Sequence, residues 1–335
     1  MAAGHDDNSI PEVGMKQQRS ILLGGFHTML RHWPALVWTY VFNVGLAFFF
    51  TLPLHSQMAS LTANSLESER IIGGFDLGVA GSVLGHLSTN QGSAAPASYL
   101  SICFFVILYF VLVPGTLFCY QKGMPARLST LLQTGLMYFW RFVRITLVSL
   151  VFFGVVLGVL LAVQNHWAAH VDETSVGRSA WLHEVAGIVI IGLVAAALRV
   201  YFDLVEVYTV QMGSQAPLPG MKANMNRRIR RVLLPAWRTY RANFFRAYLS
   251  FVFLTLLGLS AVVVTARIAM HSLAQPRTWP LFVLAQTGLF LMLLTRFWQR
   301  GAETVLAQDH ALAVPVIVLP ETVAPEPLVV GPEAA

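Results

Sequence analysis

Six apolar runs, each close to twenty residues, constrain this chain more than any other feature. They lie at 35–54, 99–120, 143–163, 185–205, 247–266 and 280–297. A hydrocarbon core of about 30 Å needs about 20 residues of helix. The runs are continuous rather than alternating and about twice the length of a barrel strand, which argues against β structure. Composition agrees: 56% of the 335 residues are apolar and 11% are charged, whereas soluble domains carry about 25% charged residues. The expected fold class is therefore all-α and integral to a membrane, with six transmembrane helices.

The positive charges orient those helices. Seventeen of the 22 Lys and Arg fall before the first run, between the second run and the start of the third, between the fourth and fifth, or at the end of the sixth and beyond it. Arg70, Arg178, Arg267 and Arg277 lie on the opposite side, and Arg199 lies inside the fourth run. Lys and Arg mark the cytoplasmic side. Both termini are thus expected in the cytoplasm, as an even number of spans also requires. The expected location is the cytoplasmic (inner) membrane of a bacterium. The net charge of +6 raises nucleic acid as a partner. The basic residues sit beside apolar runs, however, which fits topogenic signals and anionic lipids instead.

Outside the runs the chain divides simply. Residues 1–20 are polar and read as a disordered cytoplasmic N-terminus, with the first run as an uncleaved helix. Residues 21–300 form the membrane domain, with one long outer loop at 55–98 in which Asp76 caps a short apolar helix. Residues 301–335, rich in Pro and Val, read as an extended cytoplasmic tail. Pro114-Gly115 is expected to kink the second span and Pro235 a later helix. Cys103 and Cys119 share one run and lie ~24 Å apart along a helix, too far to pair.

A motif recurs before spans one, three and five. Leu22, Phe26, Met29 and Trp33 are spaced four, three and four, as are Leu131, Gly135, Tyr138 and Phe142, and Leu233, Trp237, Tyr240 and Phe244. That spacing places each set on one helix face. It predicts an amphipathic helix lying along the cytoplasmic interface ahead of each of three transmembrane hairpins. The third copy carries Arg227, Arg228, Arg230, Arg231, Arg238 and Arg241 beside Trp237. These residues are the candidate surface for anionic lipid or a partner protein.

Two groups are candidates for chemistry. Arg199, Asp203 and Glu206 share a helix face within the fourth run. Charges inside a span are costly, so they read either as a structural pair or as a site for substrate, proton or partner. His166 and His170 stand one turn apart, a spacing that can offer two ligands to a metal; the alternative is a pair of interfacial histidines. No phosphate-binding loop, nucleophile elbow, dinucleotide fingerprint or CxxC motif occurs. No enzymatic activity and no cofactor are therefore expected.

The segments ARLSTLLQTGLMYFWRFVRITLVSLV, ALRVYFDLVEVYTV and RRIRRVLLPAWRTYRANFFRAYLSF resemble a loose group of bacterial membrane proteins. These are similar to the membrane domain that accompanies some glycerophosphodiester phosphodiesterases. The resemblance spans about residues 20–300 and implies a helical membrane domain. It implies no activity, because the catalytic domain is lacking in this sequence. The expected function is a non-enzymatic scaffold or accessory subunit that binds lipid or partner proteins. The alternative is a transporter component with its polar site at Arg199, Asp203 and Glu206.

Overall fold

A computed structural model describes residues 20–62, 95–174, 178–214, 230–272 and 278–310. Among them there is no strand, and eight helices follow in order: α1 (Ile21–Arg31), α2 (Trp33–Thr62), α3 (Ala95–Lys122), α4 (Leu128–Thr174), α5 (Arg178–Gly213), α6 (Arg230–Ala242), α7 (Phe244–Ser272) and α8 (Thr278–Asp309). Five helical segments are long and apolar enough to cross a membrane: Ile102–Lys122, Leu128–Val171, Trp181–Gly213, Phe244–Ala269 and Trp279–Asp309. In α2 the described apolar stretch is the shorter Trp33–Phe49. The all-helical, multi-pass architecture thus follows from the apolar runs.

Several boundaries differ from expectation because helices outrun the apolar runs. α2 continues to Thr62 and α3 starts at Ala95, so both ends of the expected 55–98 loop are helical. The helix capped by Asp76 lies outside the described residues, as do residues 1–19 and the tail beyond 310. α8 passes the expected end at 300 and stops at Asp309. α3 continues through Pro114 and α6 through Pro235. Cys119 is buried, Cys103 is exposed, and both are free.

The expected separate amphipathic helix before the third span is not a separate element. Residues 128–174 form one helix of 47 residues, about 70 Å long. The other two copies are set off by a local break. After α1, Pro34 lacks the N–H and crowds the carbonyl four residues back, leaving His32 as a turn between α1 and α2. After α6, Asn243 forms the turn before α7, its side chain donating at 3.3 Å to the Thr239 carbonyl that its own N–H also reaches at 3.0 Å. No Pro or Asn stands between 128 and 164 to do the same.

The second of the recurring stripes faces protein rather than lipid. Leu131, Gly135, Tyr138 and Phe142 are all buried. In the other copies the buried face is turned by one residue. Ile21, Gly25, Met29 and His32 are buried in the first, and Val232, Ala236, Thr239 and Tyr240 in the third, whereas Trp33 and Trp237 are exposed. Each copy presents a small residue where it crosses its neighbour: Gly25, Gly135 or Ala236. A Cβ on Gly25 would meet the backbone of Ala302, and one on Gly135 the carbonyl of Val111. Backbones this close leave no layer of lipid or side chain between the helices.

The neighbours follow a cyclic order. α1 packs on α8, the first turns of α4 on α3, and α6 on α5. α2 lies against α3 and α8, α4 against α5 and α3, and α7 against α8 and α5. α3, α5 and α8 touch one another at the centre. Burial concentrates at the end holding α1, α6, the start of α4 and the last turns of the three central helices, here termed the closed end. There Tyr208 of α5 bonds Thr239 of α6 at 2.7 Å and the His310 carbonyl after α8 at 3.1 Å.

Candidate functional site

The three central helices bring a charged cluster together just inside the closed end. Arg199 pairs with Asp203 at 3.0 Å, one turn along α5. Arg296 of α8 reaches the same carboxylate at 3.3 Å, and Gln299 donates to it at 3.2 Å. Arg300 stands 4.0 Å from Glu206. Tyr109 of α3 completes the junction, its hydroxyl accepting from Arg199 at 3.3 Å and Arg300 at 3.1 Å. Gln299 also donates to Glu303 Oε1 at 2.7 Å, while Glu303 Oε2 is buried without a partner among the described residues.

Helix geometry shows how a membrane protein tolerates this. Arg296 lies seventeen residues beyond Trp279, where the apolar segment begins. That is about 26 Å at 1.5 Å per residue, close to the far edge of a ~30 Å core. The carboxylates are removed from lipid by protein: Asp203 is 2% exposed and Glu206 7%. Arg199 and Arg296 remain partly exposed along their side chains.

Arg199, Asp203 and Glu206 therefore do share a face, and Arg199–Asp203 forms the expected pair. Sequence reasoning assigned Arg296 and Arg300 to a cytoplasmic end after the sixth span and left Tyr109, Gln299 and Glu303 aside. The signal was a repeat of spacing. Arg296, Arg300 and Glu303 recur at the i, i+4, i+7 intervals of Arg199, Asp203 and Glu206, and Tyr109, Val113 and Thr116 do so in α3. Twelve residues beyond the first member of each set stands a glutamine: Gln121, Gln211 and Gln308. All three line one polar cavity of about 210 Å³, with Lys122, Ser214 and Thr304. Gln121 donates to the Val207 carbonyl at 2.7 Å, tying α3 to α5.

Two further cavities open sideways. One, of about 640 Å³, lies between α4, α5, α6 and the start of α7, walled by Phe152, Tyr201, Phe202, Trp237, Tyr240 and Phe244, with Arg241 among its lining residues. Tyr240 donates to the Ala197 carbonyl at 2.9 Å, and burial pushes its phenol up to about 12. The other, of about 170 Å³, lies between α2, α3 and α8 and reaches Tyr109, Arg296 and Arg300.

Of the remaining candidates, Trp237 and Arg241 meet at the aromatic groove. Arg227 and Arg228 lie outside the described residues, and Arg230 is the first residue of α6. Arg238 and Arg241 are exposed and Arg231 is half-buried. His166 and His170 are exposed near the end of α4, and no group of three potential metal ligands occurs among the described residues. At the first turn, His32 is buried between α1 and α2. Burial lowers its pKa, aided by repulsion from Arg31. Its Nδ1 lies 2.9 Å from the Thr28 carbonyl, and its Nε2 has no partner among the described residues. No protein-family model matches this chain, and no match emerged among curated proteins or solved structures.

Proposed function

We propose that this chain is a non-enzymatic integral membrane scaffold or accessory subunit that holds lipid and partner proteins at its basic, closed end. In this reading six helices cross the bacterial cytoplasmic membrane as three hairpins, α2 with α3, α4 with α5 and α7 with α8. Both termini are cytoplasmic. The distribution of Lys and Arg supports that orientation, and the cyclic order of contacts supports three equivalent units.

The observation that carries the reading is the aromatic groove of about 640 Å³ beside α6, with Arg241 among its lining residues. Aromatic walls suit an acyl chain, and a guanidinium at the interface suits a phosphate. The alternative, a transporter component with its polar site at Arg199, Asp203 and Glu206, has less support. Asp203 already answers to two arginines and a glutamine, and Glu206 is buried facing Arg300 at 4.0 Å, which favours a structural junction over a solute site.

The test is purification from native membranes in a mild detergent. A stoichiometric protein partner or retained lipid is expected, and Trp237→Ala with Arg241→Gln should release it. Recovery of the bare chain, with neither partner nor lipid, would overturn the proposal.

A further inference from the structure

The cavity between α2, α3 and α8 differs from the aromatic groove in what faces it: hydrogen-bond donors in excess of acceptors. Three guanidiniums meet at the cluster; Asp203 and Glu206 lie within 4.0 Å of them, while the third carboxylate, Glu303, is bonded to Gln299 instead. Arg300 is 5% exposed and donates only from Nη2 among the described residues. The Tyr109 hydroxyl accepts two N–H bonds, and its own proton has no acceptor among the described residues. Asn43 of α2 lines the same cavity from the opposite wall. It is half-buried in an apolar helix and makes no hydrogen bond among the described residues. A half-buried amide without a partner costs free energy unless something else engages it.

Apart from Thr39 and Thr116, the rest of the wall is apolar, including Phe105 and Leu293. Counted along α8 from Trp279, Arg296 falls about 26 Å into the apolar segment, which at ~30 Å of core corresponds to the region where lipid head groups begin. From this arrangement we infer that the cavity binds the phosphate of an anionic lipid, held by Arg296, Arg300, the Tyr109 O–H and the Asn43 amide, with an acyl chain against the apolar wall. Donors on separate helices suit the several oxygens of a phosphate better than the two coplanar oxygens of a carboxylate. This site is independent of the groove at Trp237 and Arg241, and it stands whether or not the chain serves as a scaffold.

The experiment is native mass spectrometry of the full chain, delipidated in a neutral detergent and titrated with dioleoyl phosphatidylglycerol. Dioleoyl phosphatidylcholine, oleate and inorganic phosphate form the comparison arms. Binding of phosphatidylglycerol at least fivefold tighter than each of the other three is expected. Arg296→Gln should abolish that preference. Because this variant also loses a contact to Asp203, Asn43→Leu serves as the second variant. It removes no bond within the described protein and should weaken phosphatidylglycerol at least threefold with an unchanged melting temperature. The Trp237→Ala, Arg241→Gln double variant should retain the preference, which separates this site from the groove. Equal binding of phosphatidylcholine would overturn the proposal, as would equal binding of oleate or of inorganic phosphate. So would an Asn43→Leu protein that binds as the parent does.

Discussion

The two ends of this molecule are built from the same kind of helix and held by different means. At the closed end, Gly25 and Gly135 lie against a neighbouring backbone, and Leu131, Phe142, Leu204 and Tyr208 are fully buried. At the other end, Gly154, Gly158 and Gly192 have open space where a side chain would stand. Leu150, Val155, Val159 and Val163 of α4 are exposed there. The contrast shows where the chain stores its specificity. In a bilayer, apolar surface alone does not drive helices together, so association rests on close backbone approach and interhelical polar contacts. Both are concentrated at the closed end.

That difference is broken most severely by filling a crossing point. Gly135→Leu drives a side chain into the Val111 carbonyl and should cost more than ~3 kcal/mol. Loss of the monodisperse peak in detergent size-exclusion is expected. Gly158→Leu, at the open end, should elute as the parent does. Next comes the charged junction. Asp203→Asn leaves Arg199 and Arg296 without their carboxylate and should cost about 3 kcal/mol, the low end for a broken buried pair because both arginines are partly exposed. Chemical denaturation in mixed micelles reads this directly.

A smaller effect is expected at His32. Its folded pKa is lowered from 6.5, so the folded protein holds it neutral while the unfolded chain takes up a proton first as pH falls. Stability is therefore complete above about pH 6.5 and declines as the pH falls below it toward the folded value. The melting temperature should decline between pH 7.5 and 5.5, and His32→Phe should flatten that slope. Smallest of all, Val159→Ala on the exposed face of α4 should stay within about 0.5 kcal/mol of the parent, which a thermal melt checks.

Much of this was legible beforehand, in proportion to how local the cause is. The long apolar runs produce long helices, and Arg199 and Asp203 pair because four residues is one helical turn. The stripe at Leu131, Gly135, Tyr138 and Phe142 was visible as a face, but not what it faced. Periodicity marks an apolar side equally whether lipid or protein covers it, and here α3 covers it. The break after α1 and the continuity of α4 depend on Pro34 in one copy and its lack in the other. Arg296 and Arg300 were harder, since the end of an apolar run looks the same whether the helix stops or continues. Only the repeated spacing of charges, and of Gln121, Gln211 and Gln308, recorded that α8 continues beside α3 and α5.

The clamp between α5 and α8 is most directly measured by a double-mutant cycle on Asp203 and Arg296, using Asp203→Asn, Arg296→Gln and the pair in one protein. Two side chains 3.3 Å apart and shielded by three helices should give a coupling energy of at least ~1 kcal/mol. A coupling below ~0.3 kcal/mol, with the two losses simply adding, would contradict a charged junction at the centre of the closed end.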